Sequence, residues 1–146
     1  MTPQDRAERS AAAMLKDDAA SQGIGAKLDA IGPGTATMTM TVRPDMLNGH
    51  GICHGGYIFL LADSAFAFAC NSYNAVTVAQ SNQITYLCPV RLDACLSARA
   101  VEVARAGRSG TYDVTVTDET GTKVALFRGL SRIVSGQHFD ESGHSE

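Results

Sequence analysis

His54-Gly55-Gly56 followed by Tyr57-Ile58-Phe59-Leu60-Leu61-Ala62-Asp63-Ser64-Ala65-Phe66-Ala67-Phe68-Ala69-Cys70 is the stretch whose reading decides the fold. The run from Tyr57 to Cys70 is shorter than the ~20 residues a membrane span needs and carries a carboxylate at its centre, so it predicts a buried helix. A helix apolar nearly all round must be wrapped by other structure. Upstream, Thr35-Ala36-Thr37-Met38-Thr39-Met40-Thr41-Val42 alternates hydroxyl and apolar residues, the period-2 pattern of a strand with one buried face, and Pro44 stops it. Downstream, four more strands are expected: Ala75 to Leu87, Cys95 to Arg105, Thr111 to Asp118 and Lys123 to Val134. Pro89 to Ala94, Gly107-Arg108-Ser109-Gly110 and Glu119-Thr120-Gly121 supply turn chemistry between them. Antiparallel strands need only such short turns. The order therefore predicts an α+β fold, one long central helix wrapped by a curved, mostly antiparallel five-strand sheet.

Outside this unit, Pro3 to about Ala20 is rich in helix formers, with Thr2 as N-cap and Pro3 at the first helical position, so residues 1–22 are expected to form one N-terminal helix ended by Gly23 and Gly25. The polar tail 136–146 is expected to be frayed and disordered. With 146 residues, 45% hydrophobic and 18% charged, the chain matches a single globular domain, 1–146, rather than a disordered or fibrous one. Its 12 basic and 15 acidic residues give a net charge of -3, which lacks the positive field that nucleic-acid binding needs. Cys53, Cys70, Cys88 and Cys95 form no C-x-x-C pair and the chain opens polar and charged, so free thiols in a reducing cytoplasm are expected.

Asp63 is the residue that breaks the pattern, because its helical neighbours Phe59, Leu60, Phe66 and Ala67 are all apolar. Burying a carboxylate there is costly, and desolvation should raise its pKa toward general-base values. An Asp capping a neighbouring loop from inside is the structural alternative. Gly55 and Gly56 place bare backbone amides at the expected helix N-terminus, at the positive end of its dipole, where a ligand carbonyl can approach closely. His54 and Asp63 lie ~14 Å apart along the helix axis, so a site built from both draws on two subunits. His50, Cys53 and His54 match no usual zinc spacing, and no metal site is expected. Cys53 beside His54 makes a poor nucleophile pair, because adjacent residues rarely face each other. Gln80 and Ser81 lie where a strand should pass the site, without an assigned role.

Met46-Leu47-Asn48-Gly49-His50, Cys53-His54-Gly55-Gly56 and Leu61-Ala62-Asp63-Ser64-Ala65-Phe66-Ala67 closely resemble the signature of the hotdog-fold acyl-CoA thioesterases of phenylacetic acid degradation, the PaaI type. The likeness runs through Ala69-Cys70-Asn71-Ser72 and Val124-Ala125-Leu126-Phe127-Arg128-Gly129, and covers residues 24 to 135. It implies hydrolysis of an aryl-acyl-CoA such as phenylacetyl-CoA or hydroxyphenylacetyl-CoA, without a cofactor. Asp63 of one subunit would act as general base or nucleophile on a carbonyl polarised by Gly55 N–H of another. Asn48 would orient the water or the thioester, His54 would hold the loop and Asn48, and Gly56 would help bind substrate. The resemblance also implies a homo-oligomer with shared sites, a dimer of dimers; no membrane partner is expected, because the most apolar run is too short to span. Tyr57, Phe59, Phe66 and Phe68 could line an aromatic pocket or be plain core. CoA phosphates need local cations against the net negative charge, and Arg105 and Arg108 flank a glycine turn suited to that task. Relatives often carry Gly-Asp after the strand's proline, where this chain has Pro89-Val90-Arg91-Leu92-Asp93. The competing functions are a hotdog enoyl-CoA hydratase or dehydratase and a non-catalytic acyl-CoA binding protein.

Overall fold

In the computed structural model, which describes residues 1–141, Thr2 opens helix α1 (Pro3–Leu15) with a closed capping box. Its hydroxyl accepts the Asp5 amide at 3.0 Å, and the Asp5 carboxylate accepts the Thr2 amide at 3.2 Å. The expected single helix to residue 22 breaks after Leu15. Asp18 instead caps a second helix, α2 (Ala19–Gly23), by accepting the Ser21 amide at 3.0 Å. An Asp side chain competes for local backbone amides, which favours starting a helix over continuing one.

Six strands follow among the described residues, one more than the sequence pattern predicts: β1 (Lys27–Gly32), β2 (Thr35–Thr41), β3 (Thr77–Tyr86), β4 (Cys95–Ala106), β5 (Ser109–Thr117) and β6 (Lys123–Ile133). They form one sheet in the order β1-β2-β4-β5-β6-β3 with every neighbouring pair antiparallel. The strand missed was β1, because a register shift between Leu28 and Ala30 destroys its alternation. Its outer edge is covered by α1, whose Gln4 amide donates to the Ile31 carbonyl at 2.8 Å. The other edge, β3, pairs with β6 on one side only among the described residues.

Helix α3 (Gly55–Cys70) lies in the curve of this sheet, the hotdog arrangement. Leu61, Ala62, Ala65 and Ala69 are fully buried against Met38, Ala98, Ala100 and Val116 of the sheet's inner face. The Phe66 ring lies so close to Gly129 that a Cβ there would sit 2.7 Å from it, which explains the glycine. Phe66 and Phe68 are therefore core, whereas Tyr57 and Phe59 stay half-buried. The helix is not sealed all round: on one stripe Gly56 is exposed, and Leu60, Asp63 and Ala67 after it keep partial exposure.

The tail expected to fray is packed as far as Glu141, and residues 142–146 lie outside the described part. Asn74, held at φ 61, accepts the amides of His138 and Phe139 at 2.9 and 3.1 Å, while Glu141 grips Arg6 at 3.0 Å and Arg9 stacks on Phe139. These partners lie far away in sequence. No helix among the described residues is long and apolar enough to cross a membrane.

Candidate active site

The start of α3 is fastened from two sides. His54, the N-cap, has extended dihedrals (φ -62, ψ 132), and its Nδ1 accepts the Gly56 amide at 2.9 Å, which places the ring proton on Nε2. Tyr86, on β3, donates its hydroxyl to the Gly55 carbonyl at 2.8 Å. The peptide unit joining Gly55 and Gly56 is thus held at its carbonyl end and at its N–H end. Gly56 N–H, expected to bind substrate, is already taken by His54. Gly55 N–H has no acceptor among the described residues, and at the positive end of the helix dipole it is the amide free to polarise a carbonyl. Gly55 is glycine for space rather than for conformation, since a Cβ would come within 2.8 Å of the Tyr86 ring.

The loop before the helix is organised by Asn48. Its Oδ1 accepts the amides of His50 at 2.9 Å and Ile52 at 3.4 Å, and Leu47 and Cys53 form a bridge across the loop. The His54 amide donates to the Met46 carbonyl at 2.7 Å. Asn48 is therefore held by its own loop, while the ring nitrogen of His54 that makes a hydrogen bond serves Gly56. Asn48 is half-buried, and its Nδ2 donates to no acceptor among the described residues. Downstream, Asp93 takes the left-handed conformation (φ 69) in the loop after Pro89, a conformation that Asp tolerates better than most residues.

Asp63 is half-buried on the open stripe of α3, and burial pushes its carboxyl above the ordinary carboxylate range. One side-chain partner offsets that: Asn82 Nδ2 of β3 donates to Asp63 Oδ1 at 3.0 Å. Cys53 is 4% exposed, and burial raises its thiol pKa, which disfavours the thiolate a nucleophile requires. Among the described residues no three His, Cys, Asp or Glu side chains converge to hold a metal.

Arg105 and Arg108 sit at the far end of α3, beside Cys70 and Tyr73. Arg105 is engaged there: its guanidinium lies 3.7 Å over the Tyr73 ring and 3.3 Å from Glu102 Oε1, which also accepts the Tyr73 and Tyr112 hydroxyls. Arg108 is exposed at the turn. Gln80 and Ser81 are exposed where the β3 register shifts, between Ala79 and Ser81. The β3 side chains that hydrogen-bond α3 among the described residues are those of Asn82 and Tyr86, which sequence reasoning missed. Both share the phase of Ile84, and counting the alternation in either direction from that inward residue finds them.

Residues 50–125 match the thioesterase superfamily. The acyl-coenzyme A thioesterase PaaI of Escherichia coli K12 is 40% identical over 131 residues, spanning 90% of this chain and 94% of that protein. The structure of the E. coli PaaI protein from the phenylacetic acid degradation operon superposes with a TM-score of 0.91 at 38% identity, covering 93% of this chain and 99% of that one. A mutant of the phenylacetic acid degradation protein PaaI from Thermus thermophilus gives 0.75 at 41% identity, with 78% and 97% covered. A Streptococcus mutans protein bound to acetyl CoA gives 0.74 at 26% identity, with 77% and 90% covered. A lone carboxyl on the helix, a free amide at its start and these likenesses agree: the chain belongs to the thioesterase superfamily and is a hotdog-fold thioester hydrolase of the PaaI type.

Proposed function

We propose that the chain hydrolyses acyl-CoA thioesters of the arylacetyl class, phenylacetyl-CoA and its ring-hydroxylated forms, to free acid and CoA in the cytoplasm. The observation that carries this reading is the pairing of a half-buried, pKa-raised Asp63 with an unclaimed Gly55 amide. The E. coli PaaI name and the CoA ester on the S. mutans protein support the substrate class. In the proposed reaction Asp63 takes a proton from water as the water oxygen attacks the thioester carbon. Gly55 N–H stabilises the negative charge that gathers on the carbonyl oxygen, a contribution of about 3 kcal/mol for one such donor. The tetrahedral intermediate then breaks its C–S bond. CoA leaves as a thiolate that is protonated afterwards, so little acid assistance is needed. Asn48 Nδ2 is the donor that orients the water or the thioester.

The site is shared between subunits. Gly55 and Asp63 are eight residues apart on one straight helix, about 12 Å along the axis, too far to grip one carbonyl carbon. The half-exposed stripe of α3 and the open edge of β3 lie on the side where a second copy would complete both. Antiparallel pairing of two β3 edges brings the Tyr86 end of one copy to the Thr77 end of the other. In such a dimer the helix start of one subunit would serve the carboxyl of the other. Two such dimers make the expected tetramer.

The test is a panel of aryl- and alkyl-acyl-CoA esters assayed by thiol release, with Asp63→Asn beside the wild type. Arylacetyl esters should give the highest kcat/KM, and Asp63→Asn should lower kcat at least ~100-fold while CoA-ester binding persists. Thiol release by Asp63→Asn at the wild-type rate would remove the mechanism, and hydration without thiol release would remove the activity.

A further inference from the structure

Asn82 is a polar residue on the inward phase of a strand that faces an apolar helix. Its Nδ2 donates to Asp63 Oδ1 at 3.0 Å, whereas its own Oδ1 is sealed from solvent and has no donor among the described residues. A buried carbonyl oxygen left unpaired works against folding, and an apolar side chain of the same shape would not carry that burden. The only return visible for keeping the amide is its contact with Asp63. That contact is rigidly built: Ser81 and Gln83, on either side, pair with Leu130 and Arg128 of β6, and Asn82 lies opposite Gly129, the residue on which Phe66 of α3 packs.

We propose that Asn82 is the positioning residue of the catalytic carboxyl, holding Asp63 Oδ1 in place and leaving Oδ2 as the oxygen that meets the reacting water. This rests on the thioesterase mechanism proposed above. The amide donor favours the charged carboxylate over the acid, so it works against the burial that raises the Asp63 pKa. The titratable groups packed around this face do not compete. Burial holds the Cys70 thiol of α3 up at about 12 and raises the Tyr112 hydroxyl of β5 as well. Asp18, at the head of α2, is bonded to Ser21, which in turn meets Ser64. Arg128 of β6 is turned outward onto Asp113.

The test is the pH profile of kcat/KM on phenylacetyl-CoA for wild type, Asn82→Leu and Asn82→Asp, with thermal denaturation of each and Asp63→Asn as the reference. Asn82→Leu should move the acid limb about one pH unit higher, the size expected for losing one hydrogen bond to a charged group. Its melting temperature should match or exceed that of the wild type. Asn82→Asp should move the limb further in the same direction, because two neighbouring carboxyls resist ionising together. An acid limb unmoved in both variants overturns the proposal, even where Asp63→Asn is inactive. An active Asp63→Asn overturns the mechanism and this inference together.

Discussion

Replacing Gly55 with Ala adds one methyl group where the structure leaves no room for it. The new Cβ would lie 2.8 Å from Tyr86 Cζ and Oη and 3.1 Å from Cε1. Carbon contacts settle at about 3.5–4.0 Å, so the ring must retreat by roughly 1 Å. Tyr86 is 47% exposed, so it can swing toward solvent instead of straining the core. The cost is then the hydrogen bond from its hydroxyl to the Gly55 carbonyl, about 1 kcal/mol, plus part of the ring's packing. That gives about 1–2 kcal/mol in all, the lower half of the range for overpacking. For a chain of this length the melting temperature should fall by roughly 2–8 °C. Tyr86→Ser removes both the ring and the clash, so Gly55→Ala added to it should cost less than about 0.5 kcal/mol. The measurement is a double-mutant cycle by thermal or urea denaturation, at equal protomer concentration because subunit association shifts the midpoint. A coupling energy of about 1 kcal/mol is expected; costs that simply add within about 0.5 kcal/mol would refute the contact. Activity of Gly55→Ala should fall by less than the ~100-fold expected for losing an oxyanion donor outright, since the amide itself survives.

Three further predictions concern the shared site, the CoA end and the Arg105 stack on Tyr73. Gly55→Pro deletes the candidate oxyanion amide, and the extended dihedrals of His54 suit a residue preceding proline. Random equimolar mixing of Gly55→Pro with Asp63→Asn should restore about a quarter of the wild-type sites, one of the two in each hybrid dimer, if each site takes one residue from each subunit, and mixed oligomers as inactive as their parents would defeat sharing. Arg108→Ala should raise KM for the CoA ester several-fold at low salt with kcat unchanged, whereas Arg105→Ala, which loses its place over Tyr73, should lower stability by about 0.5–1 kcal/mol. A KM unmoved by Arg108→Ala, measured at low ionic strength where screening is weak, would return that side chain to the solvated surface.

The parts of this fold legible in the sequence are those whose pattern is local. The apolar run of α3, the alternation of β2 and the glycine turn at Gly107 each carry their own signal. Strand β1 does not, because its bulge scrambles the alternation, and the ordered stretch from His138 to Glu141 does not, because its partners Asn74 and Arg6 are supplied by distant chain. The same division runs through the site. Asp63 and Gly55 stand out because each violates its surroundings, a carboxylate among phenylalanines and a bare amide at a helix start. Asn82 and Tyr86 are ordinary strand residues, and what gives them a role is the bulge between Ala79 and Ser81. Before it, Thr77 and Ala79 pair with Ile133 and Ser131; after it, Asn82, Ile84 and Tyr86 pair with Gly129, Phe127 and Ala125. The extra residue reverses the phase of the strand, since side chains alternate with a period of two. Without it Ser81 and Gln83 would face the helix, and both the partner of Asp63 and the clamp on Gly55 would point to the outside of the sheet. The candidate site therefore depends on one inserted residue at Gln80, a position whose own side chain is exposed.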